Sequence, residues 1–276
     1  MNMRCMLCNG MLNEYSKTSN LDLPVNHCKN CNLYVSGNTK EDVIEKVSNL
    51  YKEDYWNERN SETSINSKYT DKDSLGKRRD WISQFLYTKK YISGKTLLEI
   101  GVGAGQSINW FEDEGFYVTG IEPDGRNVSM INKMLKKGKV VQSSVEEFSS
   151  NETFDVIWMS HVLEHLLEPS DFLKKIKKNL RKNGIFFIEI PNCEYGPMLK
   201  DSIEENPHLF HFTRKALIKL AENTGYKIIS CDVFRPATKS EGIKHRMIKT
   251  SFPYYPRILT DNHGGRDLRI ILGNNE

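Results

Sequence analysis

No stretch of this 276-residue chain runs to the roughly 18 consecutive apolar residues that a membrane-crossing helix needs. No basic start followed by a short apolar core opens it, so a secretory leader is not indicated and a soluble, cytoplasmic protein is expected. Charge of one sign is missing too: the formal net charge is +3, too near balance to require nucleic acid as a partner. Cysteine is scarce, six residues in all, and in a cytosolic chain such residues are metal ligands or buried thiols before they are disulfides. The length allows one α/β domain of ordinary size with a small module beside it.

What is present centres on Leu97-Leu98-Glu99-Ile100-Gly101-Val102-Gly103-Ala104-Gly105. A strand-like run enters three alternating glycines, and Ile108 and Phe111 then keep helical spacing as far as Gly115. The glycines let a ligand approach the backbone and permit positive φ in a tight turn. Phe116 to Ile121 reads as a second strand ending on Glu122, about 20 residues past the glycines, where a carboxylate accepts from ribose hydroxyls. Gln106 stands where a dinucleotide fold needs glycine, and the Gly-Lys-Ser/Thr of a phosphate loop is absent. Glu99 at the loop entrance would repel a pyrophosphate and suits a cation.

Residues 1–36 carry Cys5-x2-Cys8 and Cys28-x2-Cys31, the spacing of a closed tetrahedral four-cysteine zinc site whose role is structural. So small a module would draw its folding free energy from the metal. No basic cluster with interleaved aromatics accompanies it, so nucleic-acid binding lacks support. Residues 37–93 read as a helical cap or linker. Val43, Ile44, Val47, Leu50 and Tyr51 keep helix spacing, as do Trp81, Ile82, Phe85 and Leu86, with a polar stretch from Asn57 to Lys72 between them. Tyr55 and Trp56 serve either core packing or a lid over the cofactor, with Tyr55 near its methionine end.

From Thr96 strands and helices alternate. Strands are expected at Lys139–Gln142, Phe154–Met159, Ile185–Ile190, Tyr226–Phe234 and Asp267–Leu272. Pro169-Ser170-Asp171 starts a helix with Phe172, Ile176 and Leu180 inward, and Thr213 caps another that ends at Gly225. About 30 irregular residues, near 235–266, form an expected substrate lid. Its Lys239, Lys244, His245, Arg246, Lys249 and Arg257 suit a phosphorylated acceptor, or form a basic loop without that role.

Two histidine groups fall at carboxyl ends of strands, where open α/β sheets place their ligands. They are Ser160-His161-Val162-Leu163-Glu164-His165 and Pro207-His208-Leu209-Phe210-His211. Histidine titrates near neutrality, which fits a general base. His165 and His208 are the leading candidates, with His161, Glu164 and His211 behind them.

Leu-Glu-Ile-Gly-Val-Gly-Ala-Gly followed by Gly-Ile-Glu-Pro closely resembles motif I and the acidic second-strand end of class I S-adenosylmethionine-dependent methyltransferases. That resemblance implies a seven-stranded doubly wound, Rossmann-like sheet spanning 94–276. It implies cofactor contacts from Glu99, Gly101, Gly103, Gly105, Glu122 and Ser160, with Ser144, Val145 and Glu146 at the adenine. The four-cysteine module, Tyr55, His165, His208 and His263-Gly264-Gly265 resemble the zinc-containing sugar C-methyltransferases of nucleotide-linked deoxysugars. In that family the histidine matching His165 acts near the acceptor, and a Glu-His pair matching Pro207-His208 supplies the base. Pro207 replaces the glutamate, and the chain stops just past the expected last strand, without the family's long C-terminal domain. Carbon deprotonation needs more help than hydroxyl deprotonation. The expected reaction is therefore O-methylation of a sugar, a nucleotide-linked sugar or a related phosphorylated metabolite. Sugar C-methylation and RNA methylation through the zinc module are the alternatives, with a non-enzymatic binding protein behind them. No Asn-Pro-Pro-Tyr-type motif for exocyclic amines appears, and Cys193 and Cys231 lack the pattern of a base-attacking nucleophile.

Overall fold

The computed structural model describes residues 4–52, 80–238, 240–241, 257–260 and 264–275. Tyr55 and Trp56, the polar stretch from Asn57 to Lys72, the insertion's cations other than Arg257, and His263 lie outside those residues.

The central sheet forms where the apolar strand patterns fall. Five parallel strands, β4 (Thr96–Ile100), β5 (Tyr117–Glu122), β6 (Lys139–Gln142), β7 (Phe154–Ser160) and β8 (Leu180–Pro191), pair in the order β8-β7-β4-β5-β6. β12 (Asp267–Gly273) lies antiparallel between β8 and β10 (Lys227–Pro236). The expected seven strands become eight. Arg257–Thr260, assigned to an irregular insertion, forms β11 and pairs antiparallel with β10 at the sheet edge. A four-residue strand carries too short an alternation to stand out from a basic loop.

Side chains alternate across the sheet as strand pleating requires. In β7, Val156 and Trp158 enter one core layer and Ile157 and Met159 the other, all fully buried. The helices α3 (Gln106–Asp113), α4 (Gly125–Met134), α5 (Pro169–Ile176), α6 (Gly196–Glu204) and α7 (Arg214–Asn223) follow the strands. The first in chain order are α1 (Lys40–Lys52) and α2 (Asp80–Thr88). Their starts are chemically marked. The Asp124 carboxylate accepts from Arg126 N at 2.9 Å, Thr213 Oγ1 accepts from Ala216 N at 3.3 Å, and Pro opens α5. Glu112 faces inward and accepts from the amides of Lys136, Lys137 and Gly138 at 2.6–2.7 Å, pinning the turn before β6.

A second sheet has the order β1-β2-β3-β9, from β1 (Leu12–Thr18), β2 (Pro24–Cys28), β3 (Leu33–Ser36) and β9 (Phe210–His211). Its fourth strand comes from the stretch before α7, so the N-terminal hairpins are completed by the methyltransferase-like part of the chain. Tyr34 pairs with His211 and Val35 with Phe210. Thr213 Oγ1 donates to Asn32 O at 3.0 Å, and Cys5, Leu7, Cys31 and Leu33 share one core with Leu217 and Leu220.

Candidate active site

The glycine loop turns where strand β4 ends. Gly101, Gly103 and Gly105 hold φ of +71°, +57° and +76°, a region closed to most side chains. A Cβ on Gly101 would stand 2.4 Å from Val162 Cγ2, whereas one on Gly103 would meet nothing within 4 Å. The space over Gly103 is therefore open. Glu122, at the end of β5, accepts from Gly103 N at 2.8 Å and from Asp124 N at 3.1 Å. Burial raises its carboxyl above the usual range, partly offset by those amides. Glu99 accepts from Ser107 Oγ, but its Oε2 is buried with no hydrogen-bond partner. Burial, with the Glu122 charge adding, pushes Glu99 up to about 8. A buried carboxylate oxygen without a partner is what a cationic ligand would satisfy. Ser144 Oγ accepts from Glu147 N at 3.1 Å, and Ser143 N donates to Glu122 O at 3.2 Å, so this loop flanks the same end of the sheet, with Val145 half-buried in it.

A polar cluster lies beyond β7, with Glu164, Glu189 and His208 buried, His165 half-buried and the His161 side chain 48% exposed. His161, also at positive φ (54°), places Nδ1 3.4 Å from Glu164 Oε1 and Nε2 3.4 Å from Glu189 Oε1. Desolvation by the surrounding protein opposes its charge, limited because the side chain is 48% exposed, and the two carboxylates outweigh it and raise His161 well above an ordinary histidine. It is thus a poor base at neutral pH. Glu164 is buried, with His208 Nε2 3.9 Å from its Oε1. Burial acts to raise Glu164, yet His161, His208 and His165 together hold it down at about 2. The His165 and His208 rings meet edge to face at 4.6 Å, and His165 Nδ1 lies 3.3 Å from Pro207 O. Glu164, His165 and His208 bring one donor atom each within 4.8 Å of the others.

His211 does not join this group at its open side. It is fully buried behind His208 with both ring nitrogens engaged, Nδ1 to Ser202 Oγ at 2.8 Å and Nε2 to Ser36 Oγ at 3.1 Å. Burial and His208 lower it to about 3, so it is neutral and unsuited to take a proton from an acceptor.

Several polar residues at this end of the sheet escaped the sequence reading. Glu189 accepts from Arg269 Nε and from Gln84 Nε2, and Gln84 also donates to Ser160 Oγ at 3.0 Å. Arg269 is fully buried and stacks on Phe234 at 4.2 Å. Their one visible signal was a Glu and an Arg inside otherwise apolar strands, Ile188-Glu189-Ile190 and Leu268-Arg269-Ile270. Register makes them directly opposed partners, which sequence spacing does not show. Arg257 is spent on Asp80 at 2.8 Å and Asp267 at 2.9 Å, so it does not face an acceptor as a free cation.

The four cysteines converge. Sγ atoms of Cys5 and Cys31, and of Cys8 and Cys28, are 3.4 Å apart, and all four lie within 4.8 Å of one another. A zinc–sulfur bond of about 2.3 Å in a tetrahedron sets sulfurs about 3.8 Å apart, so the set fits that ion. The two knuckles are alike: Asn9 and Asn32 follow the second cysteine at φ 55° and 62°, and their amides donate to Cys5 O and Cys28 O at 2.9 and 2.7 Å. His27 stacks on Tyr34 at 4.1 Å and contacts Asn32, outside the sulfur set. A separate cleft of about 260 Å³ lies between β3, α1 and Leu167-Glu168, away from the glycine loop. The orphaned Glu99 oxygen and the glycine turn mark the chemistry elsewhere.

Sheet order, glycine turn and acidic β5 end define a class I S-adenosylmethionine-dependent methyltransferase domain. A family model described as a methyltransferase domain matches residues 73–231, over half the chain, and the chain belongs to that family. It is 30% identical over 105 residues to ubiquinone biosynthesis O-methyltransferase of Rickettsia canadensis (strain McKiel), covering 37% of this chain and 44% of that protein. The same-named protein of Pasteurella multocida (strain Pm70) is 30% identical over 116 residues, 37% of this chain and 48% of its own length. The matched stretch thus spans less than half of these relatives. Among solved structures, 1,6-didemethyltoxoflavin-N1-methyltransferase of Burkholderia thailandensis superposes with TM-score 0.56 at 13% identity, covering 91% of this chain and 99% of that one. A S-adenosylmethionine-dependent methyltransferase from Archaeoglobus fulgidus gives TM-score 0.54 at 18% identity, over 70% and 93%. At such identities the likeness is one of fold. No helix among the described residues is long and apolar enough to cross a membrane.

Proposed function

We propose that the chain methylates a hydroxyl of a small molecule: a sugar, a nucleotide-linked sugar or a related phosphorylated metabolite. The observation that carries this reading is the Glu164–His165–His208 cluster at the carboxyl end of the parallel strands, with His208 Nε2 3.9 Å from a buried carboxylate. S-adenosylmethionine supplies a methyl on a sulfonium, whose thioether leaves without an acid. Glu122 would hold its ribose, Glu99 its cationic end, Ser144 and Val145 its adenine, and Ser160 and Tyr55 its methionine end, with Gly101, Gly103 and Gly105 giving close backbone approach. His208 takes the acceptor's proton, and Glu164 stabilises the imidazolium that results. His165 stands edge-on to it as the second candidate base.

The zinc-module resemblance supports a sugar acceptor, and Pro207 in place of a glutamate supports oxygen over carbon. The relatives' name, ubiquinone biosynthesis O-methyltransferase, also supports oxygen and adds ubiquinone precursors to the acceptors worth testing. Cys5, Cys8, Cys28 and Cys31 would hold one structural zinc, in a module of about 36 residues ahead of a helical cap and the methyltransferase domain.

The test is a screen of nucleotide-sugars, sugar phosphates and ubiquinone precursors for S-adenosylhomocysteine release, with calorimetry alongside. His208→Ala and His165→Ala should keep cofactor binding and lose turnover by about 100-fold or more in at least one variant. Absence of S-adenosylmethionine binding by the wild type would remove the enzymatic reading altogether.

A further inference from the structure

Four buried side chains continue from the acceptor side of His208 into the N-terminal sheet. His208 Nδ1 lies 2.7 Å from Ser202 Oγ in α6, and Ser202 Oγ lies 2.8 Å from His211 Nδ1. His211 Nε2 lies 3.1 Å from Ser36 Oγ at the end of β3, and Ser36 Oγ donates to His208 O at 3.0 Å. All four residues are more than nine-tenths buried.

The bond from Ser36 to a backbone carbonyl sets the direction of the others. A hydroxyl carries one proton. Ser36 gives its proton to a backbone carbonyl, which can only accept, so toward His211 it must itself accept, and His211 Nε2 carries the ring hydrogen. Neutral His211 then has a bare Nδ1, which accepts from Ser202. Having donated there, Ser202 can only accept from His208, whose Nδ1 must bear hydrogen. The His208 lone pair is left on Nε2, the nitrogen directed at Glu164.

We infer that Ser36, His211 and Ser202 form a tautomer-setting relay that holds His208 with Nδ1 protonated and Nε2 as the basic nitrogen, so that the N-terminal sheet is a working part of the methyl-transfer site. The inference rests on the reading of His208 as the base. In the step it serves, the acceptor O–H bond breaks, the proton goes to His208 Nε2, and the electron pair stays on oxygen to take the methyl. Ser202, His211 and Ser36 are positioning residues; none is placed at the acceptor. His211, lowered to about 3 by burial and His208, is neutral and donates from one nitrogen only; the Ser36 bond to His208 O decides which.

Among the described residues, the charged and titratable groups facing His208 include Glu164 and His165 after β7, and His211 in β9, with His161 reaching it through Glu164. Cys193, after β8, is raised to about 12 by burial and stays a neutral thiol donating to Pro191 O.

Nitrogen-15 NMR of the histidine side chains in the wild type reads the tautomers directly. Neutral His208 should appear as the Nδ1–H form and His211 as the Nε2–H form; the reverse assignment for either overturns the relay. In kinetics, Ser202→Ala should lower kcat by about tenfold or more with KM for the acceptor little changed, because a fraction of His208 then carries its hydrogen on Nε2. The acid limb of its kcat profile should move to lower pH, since the imidazolium loses the hydroxyl that accepts from Nδ1. Ser202→Thr, which restores the hydroxyl, should recover most of the loss. An unchanged profile in Ser202→Ala, with His208→Ala inactive, overturns the relay alone. Full turnover in His208→Ala with the wild-type tautomers as stated overturns the base assignment and leaves the tautomer result standing.

Discussion

Gly103 N donates to Glu122 Oε2 at 2.8 Å, so the backbone of the glycine turn and the carboxylate that ends β5 are tied together at the end of the sheet. One buried carboxylate thereby fixes the loop, accepting from Gly103 N and Asp124 N. Glu122→Ala should weaken S-adenosylmethionine binding about 10- to 100-fold, the span expected for hydrogen bonds to a charged group. Calorimetric titration checks it, and zinc content should not change.

The glycines of the turn should not be equivalent. Gly103→Ala adds a methyl into open space at φ +57°, so its stability cost is conformational alone, about 1–2 kcal/mol, or about 2–8 °C in Tm. Gly101→Ala adds the same conformational cost and a 2.4 Å clash with Val162, so it should melt lower than Gly103→Ala by thermal scan. In binding, the methyl at Gly103 intrudes where the cofactor is expected, and affinity should fall although the fold survives.

Glu99 gives a pH signature. Its folded pKa, raised by burial to about 8, lies above the ordinary carboxylate value. The sign is that of a raised acid: its contribution to stability is complete below the unfolded pKa and is lost as pH rises toward 8. A cation bound against Oε2 favours the carboxylate, so cofactor binding near pH 7 should release a proton. Calorimetry in buffers of different ionisation enthalpy measures the release. Glu99→Gln should abolish it.

The cysteine cluster predicts about one zinc per chain by elemental analysis. Cys28→Ser should remove it, while Cys231→Ser, at a buried thiol away from the cluster, should keep it. Because β3 pairs with β9, loss of zinc should loosen more than the N-terminal hairpins: hydrogen exchange should accelerate at Phe210 and His211 as well.

Glu164 supplies the opposite pH sign. Its folded value, held at about 2 against burial by His161, His208 and His165, is depressed, so its stabilisation is present above the unfolded carboxylate pKa and lost as pH falls toward 2. Glu164→Gln should flatten the acid side of the stability curve between about pH 4.5 and 2, measured by denaturant melts.

Local patterning determined much of this protein. Three alternating glycines after an apolar run, a carboxylate at the next strand end, two Cys-x2-Cys knuckles, and the cap at Thr213 each act through near neighbours in the chain, and each was readable there. The strands β4, β7, β8 and β12 were legible because burial on both faces demands largely apolar runs, while β6 and β10, exposed in part and carrying polar residues, were read from shorter apolar stretches. Tertiary structure alone decided what depends on register and on contacts far apart in sequence. It set Arg269 against Glu189, drew Arg257 into an edge strand between two aspartates, and turned Glu112 inward onto three amides. It separated the four histidines: His161 is held charged between two carboxylates, His165 and His208 pair at the cleft, and His211 is sealed behind Ser202. Spacing along the chain says which histidines share a loop. Only packing says how deeply each is desolvated and which charges face it, and those two quantities decide where a proton resides.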